Sequence, residues 1–227
     1  PLARMLANEG RLATGIQLLE NAPSRDLQAD LTLAEFYRQT GRLDEATSLY
    51  ATRLDKDSPT PELIAAAADL MAAQQETGAA RTLLKRLDQT DATAAQTFGI
   101  LARFEEKFGD RDVAKRHYLD ATAAAPNDAS AWRRLSSFHA RQADYAAAIE
   151  AADRGLALLP ANPELESLRL QAMAMQKVSE TNDDLTPLID VLKADPSRAA
   201  ETAALLAMQE SLATTQPTAA QVARLRL

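Results

Sequence analysis

The chain has 227 residues, 46% of them hydrophobic and 25% charged, a balance that belongs to a folded protein rather than a disordered one. A net charge of −7 without a long basic stripe argues against a nucleic-acid partner, and the absence of cysteine excludes disulfides and thiolate metal sites. The richest apolar run, residues 63–73, is broken by Asp69 and falls short of the ~18 residues a membrane span needs.

No signal peptide is visible, and the chain opens on Pro1-Leu2-Ala3-Arg4, which reads as a processed protein or an excised fragment. A cytoplasmic and a periplasmic location both remain open. Abundant Ala and Arg in an acidic chain suggest a bacterial source, on composition alone.

Residues 10–22, GRLATGIQLLENA, read as a second helix whose preceding helix runs only from Leu2 to Asn8. A recurring pattern follows. Ala46, Ala80, Ala114 and Ala148 stand 34 residues apart, the spacing of a helical repeat. Ala34, Ala68, Ala102 and Ser136 form a second small column at the same spacing. Leu33, Ala67, Leu101 and Leu135 form an apolar column. Asp30, Ile64, Phe98 and Trp132 form one that is bulky in three of four positions.

The columns have a physical reading. Two antiparallel helices touch at a point of closest approach, and small side chains there let the axes come near the short end of the ~8–10 Å range. Ala34 then sits on the first helix of a pair and Ala46 on the second. Gly41 and Gly109 fall between the helices of a pair, where a stop is needed, and Asp110 and Asp144 follow as starts of second helices. Pro59, Pro61, Pro126, Pro160 and Pro163 lie between pairs. A single pair cannot bury its apolar face, so several must stack.

At these residues the sequence resembles the tetratricopeptide repeat family. The pattern is carried by Leu33, Ala34, Tyr37, Gly41, Ala46 and Tyr50 in 27–60, and by Phe98, Leu101, Ala102, Gly109, Ala114, Tyr118 and Pro126 in 95–128. In 129–162 it is carried by Trp132, Leu135, Ser136, Tyr145, Ala148, Gly155 and Pro160. The repeat 61–94 is degenerate, with Gln75 where Gly is usual and Ala92 where Pro is usual. The resemblance implies an all-α, right-handed α-solenoid of stacked antiparallel helix pairs. A partial repeat (1–26) precedes four repeats (27–162), and divergent helical repeats with a C-terminal capping helix (163–227) follow. Within that last part, 163–176 reads as a first helix, SETNDD as a polar linker and 185–194 as a partner helix. Residues 196–213 read as a further helix, and 217–227 as a last helix that either caps the stack or opens a truncated repeat.

The sequence offers little chemistry. His117 and His139 lack a His-Glu-x-x-His arrangement and read as packing or solvated histidines. Glu105-Glu106 and Asp183-Asp184 are neighbours that point about 100° apart on a helix, and the latter pair reads as a helix start. The Met residues read mostly as core. No enzyme activity, cofactor or metal is expected.

The resemblance implies a protein or peptide partner held on a concave face lined by first helices. It places Glu35, Arg38, Asp69, Arg103, Lys107, Arg133, Ser137 and Arg141 on that face. Arg103, Lys107, Arg133 and Arg141 against Glu106 suggest a basic patch for an acidic or C-terminal carboxylate-bearing segment. The other reading is solvated or internally paired arginines, for example with Glu106. Chaperone-binding members of the family are set aside, because Leu31, Thr32, Glu35, Ala66 and Gln96 stand where they carry Lys, Asn and Arg. Alternative settings are a segment of a bacterial envelope, secretion or polysaccharide-export protein, or a regulatory domain on an enzyme or DNA-binding module. Self-association through an uncapped end of the stack is a further expectation.

Overall fold

A computed structural model describes residues 2–56 and 59–181, together with 189–190, 193, 202–203 and 205–207. Eleven α-helices have described bounds: α1 (Leu2–Asn8), α2 (Leu12–Glu20), α3 (Leu27–Gln39), α4 (Leu43–Lys56), α5 (Pro61–Ala73), α6 (Thr77–Leu84), α7 (Ala94–Phe108), α8 (Arg111–Ala124), α9 (Ala129–Arg141), α10 (Tyr145–Leu158) and α11 (Pro163–Thr181); the described residues beyond Thr181 are also helical. A 3₁₀ helix, Lys85–Gln89, extends α6. No strand occurs among the described residues. The chain comprises two compact units, Pro1–Ala124 and Ala125–Leu227.

Helix starts follow from side-chain caps. Asp26, Thr60, Asp128 and Asp144 each accept a backbone N–H of the first turn, and Pro61 occupies the position where its missing N–H is harmless. Thr93 and Gln96 form a capping box at the start of α7. Asp110 accepts from the N–H groups of Asp112 and Val113 before α8.

The first unit packs consecutive helices as pairs, α1 on α2, α3 on α4, α5 on α6 and α7 on α8. The small columns are the points of closest approach: Ala34 is 1% exposed, and Ala46, Ala68, Ala80, Ala102 and Ala114 are 0% exposed. One core runs from Ala3 and Ile16 through Leu33, Ile64 and Leu87 to Phe104. The α1–α2 hairpin uses the same device. Gly15 is buried, and a Cβ there would lie 2.9 Å from the Ala3 carbonyl oxygen.

The turns inside four of the pairs, α1–α2, α3–α4, α5–α6 and α9–α10, are Schellman closures. Arg42 N–H reaches Tyr37 O at 2.8 Å and Gly41 N–H reaches Arg38 O at 3.2 Å. The same two bonds recur at Arg11 and Gly10, at Glu76 and Gln75, and at Asp144 and Ala143. The motif demands a left-handed residue. Gly10 and Gly41 supply it freely, whereas Gln75 and Ala143 adopt φ of 70° and 59° despite their side chains.

One helix end is irregular and one boundary departs from expectation. The second helix of 61–94 tightens into 3₁₀ geometry, and Leu87, 1% exposed, stands where later repeats carry Ala121 and Gly155. Helix α11 runs through Thr181 rather than ending near 176, since no Gly or Pro interrupts it.

In the second unit α9 packs on α10, and α10 and α9 both pack on α11. Ser136 and Ala148 are 0% exposed, and Ser136 Oγ donates to Ala148 O at 2.8 Å. Gly155 sits against the Leu165 methyls and Trp132 Cβ. The linker 182–184, most of 185–194 and 196–213, and the capping helix 217–227 lie outside the described residues.

Candidate protein-binding surface

The first helices of the first unit share a polar face. On α3, Arg38 makes two parallel hydrogen bonds to Glu35, Nε to Oε2 at 2.7 Å and Nη2 to Oε1 at 2.6 Å, and Gln39 Nε2 donates to Glu35 Oε1 at 2.9 Å. Lys107 of α7 crosses to Asp69 of α5, Nζ to Oδ2 at 3.3 Å. Lys107 Nζ also lies 4.6 Å from the Phe108 ring centroid.

The charges sense one another along the face. Arg38 holds the Glu35 carboxyl below its ordinary range against the opposing effect of burial, with Gln39 and Lys107 adding to the depression. Tyr50 lies beneath this cluster. Burial, together with the nearby Glu35 and Asp69 carboxylates, pushes its hydroxyl up to about 12. Arg103 is exposed, and its side chain makes no ion pair or hydrogen bond among the described residues. Glu106 accepts from Tyr118 Oη at 2.8 Å. Of the two basic residues read from sequence in this unit, Lys107 is matched by Asp69 of α5 and Arg103 is not matched among the described residues.

In the second unit, Arg133 Nη1 lies 3.3 Å from Glu164 Oε2, with the glutamate side chain 67% exposed. Ser137 is half-buried and Arg141 exposed. Beside Arg133 is a cavity of about 310 Å³ lined by Asn127, Asp128, Ala129, Ser130, Leu158, Leu159, Asn162 and Leu165.

The histidines pack. His139 is 5% exposed, on the face of Leu135, with Nδ1 3.2 Å from Asp144 Oδ2. His117 stacks on Phe98 with ring centroids 6.1 Å apart. Met5 is 52% exposed rather than buried, because its face of α1 carries no neighbouring helix among the described residues. Among the described residues no three His, Asp or Glu side chains gather where they could hold a metal ion.

Two buried charges escaped the sequence reading. Asp30 is 4% exposed and is gripped by Arg25 and Arg53, whose Nη2 also donates to Arg25 O at 2.6 Å. Glu105, 8% exposed, pairs with Arg81. Both stand in columns whose other members are large and mostly apolar: Ile64, Phe98 and Trp132 for Asp30; Tyr37, Met71 and His139 for Glu105. A carboxylate in a buried column was the available signal, since such a group needs a partner.

The profile of the ChAPs family, described as Chs5p-Arf1p-binding proteins, matches residues 28–185. The chain belongs to the ChAPs family. No curated protein matches it. Among solved structures, the C-terminal part of a TPR repeat-containing protein from Cytophaga hutchinsonii is 14% identical. That match covers 89% of this chain and 78% of the other, with a TM-score of 0.54. A tetratricopeptide repeat protein from Parabacteroides merdae is 15% identical over 92% and 90% of the two chains, with a TM-score of 0.47. MamA is 15% identical over 70% of this chain and 95% of that one, with a TM-score of 0.46. The Cytophaga structure shares the fold of stacked helix pairs, so this ChAPs member has a tetratricopeptide-type helical-repeat fold.

Proposed function

We propose that this ChAPs member is a non-catalytic scaffold that receives an acidic segment of a partner protein along its first helices. The observation that carries the reading is Arg103, an exposed guanidinium with no side-chain partner among the described residues, one turn from Lys107 on the same helix. A guanidinium takes a carboxylate through two parallel hydrogen bonds. Lys107 has one ion pair, at 3.3 Å, beside its contact with the Phe108 ring, and its own side chain is 55% exposed. Such a pair contributes little and exchanges readily for a carboxylate of a partner.

Rigidity supports the reading. The side chains of this face stand on packed helices and are held by pairs at 2.6 to 3.3 Å. Apart from the Arg103 side chain, little ordering is left to be done on binding. In the second unit Arg133, Ser137 and Arg141 occupy the corresponding first-helix positions. The family description names Chs5p and Arf1p as bound proteins, which supports a protein as the partner class.

Selection from a random peptide display library on the full chain tests the proposal. Enrichment of Asp- and Glu-bearing peptides, lost with Arg103→Glu, is the expected result. Enrichment without an acidic preference would sink it.

A further inference from the structure

The cavity beside Arg133 has a built frame. Two N-caps form its polar rim, and both are consumed by the fold. Asp128 accepts from Ser130 N at 2.9 Å and Ser130 Oγ at 2.8 Å, and Asn162 accepts from Leu165 N at 3.0 Å. Ser130 accepts in turn from Arg134 at 3.2 Å. Trp132 Nε1 donates to Pro126 O at 2.9 Å and fixes the approach to α9.

What the fold leaves unused is apolar. Leu158, half-buried, and Leu159, 51% exposed and one of few large apolar side chains so open among the described residues, line the cavity, with Leu165, itself 1% exposed, behind them. At about 310 Å³ the space lies at the small end of ligand pockets, the size for an anchoring side chain rather than a cofactor.

The charge at its mouth is replaceable. Asp128 is tied to its own helix; although burial pushes the other way, the bonds from Ser130 and the nearby Arg134 hold its carboxyl below the ordinary range. Arg133, by contrast, faces Glu164 at 3.3 Å with the glutamate 67% exposed. An incoming carboxylate can take the place of Glu164 at little cost, because exposed pairs contribute little.

We infer that this cavity is an anchoring site for a partner segment in which an apolar side chain of leucine or methionine size stands beside an acidic residue. The apolar side chain lies against Leu158 and Leu159, and the carboxylate takes Arg133 in exchange for Glu164. This rests on the scaffold reading above and supplies its second unit with a specific recognition chemistry.

The test measures binding of display-selected peptides to the full chain by fluorescence anisotropy, with helical content followed by circular dichroism. Leu159→Glu and Arg133→Glu should each weaken binding at least tenfold with the helical signal unchanged. Glu164→Gln should strengthen it several-fold, because the internal competitor is gone, a gain that a purely structural role would not produce. Selected peptides should carry an apolar residue next to Asp or Glu. Peptides weakened by Arg103→Glu but untouched by all three pocket variants would overturn this inference and leave the scaffold reading standing. Failure to select any peptide would overturn both.

Discussion

Arg81 and Glu105 join the second helix of one repeat to the first helix of the next through two parallel hydrogen bonds, Nε to Oε1 at 2.9 Å and Nη2 to Oε2 at 2.8 Å. Glu105 also accepts from Asp110 N–H at 3.3 Å, so the carboxylate closes the α7–α8 turn that the other pairs close with a Schellman bond. Gly109 is needed for space rather than for a left-handed backbone: its φ is −132°, and a Cβ would fall 1.7 Å from Glu105 Oε2.

Gly109→Ala should therefore displace the carboxylate and destabilise the protein by about 1–3 kcal/mol. Urea unfolding monitored by circular dichroism measures this. An unchanged midpoint would show that Glu105 moves aside freely.

Acid sensitivity follows from the same pair. Arg81, helped by the Asp110 N–H and opposed by burial, holds the Glu105 carboxyl below its ordinary range. The folded value lies below the unfolded one, so this stability is fully present above the ordinary carboxylate pKa of about 4.3. It is lost as pH falls through the depressed value. Glu105→Gln should be less stable at neutral pH and show a flatter decline below about pH 4.3. Parallel acid curves for the two proteins would contradict this.

Gln75 and Ala143 bear the left-handed backbone of their turns at φ of 70° and 59°. Gln75→Gly and Ala143→Gly should each stabilise the fold by about 1 kcal/mol. Thermal denaturation gives the answer, and a lower melting temperature for both would refute the turn assignment.

Asp30 answers to two arginines at 4% exposure. Asp30→Ala would leave both without their shared carboxylate and should cost about 3 kcal/mol, as breaking a buried pair does. The loss should change little with salt, because buried pairs are weakly screened. A small, salt-sensitive effect would mark the cluster as solvated.

The alanine columns were legible because contact between paired helices repeats with the sequence. Ala46, Ala80, Ala114 and Ala148 meet their partners at one geometry, each at 0% exposure. The charged face was legible only in part. Lys107 finds Asp69, 38 residues away, in the preceding repeat, and Arg133 finds Glu164 in the following one. Such pairings depend on the rotamers of long side chains across neighbouring helices, which a column of residue types does not encode. The Arg133 cavity was not legible, since Leu158 and Leu159 come from the end of α10, outside the repeat columns that were read.

In the proposed binding mode Arg103 is the receiving group of an acidic partner segment. Calorimetric titration of the full chain with a display-selected acidic peptide, at two salt concentrations, tests it most directly. Arg103→Glu should bind at least tenfold more weakly, about 1.4 kcal/mol, and wild-type affinity should fall as salt rises. Equal affinity of the two proteins at both salt concentrations would contradict the account.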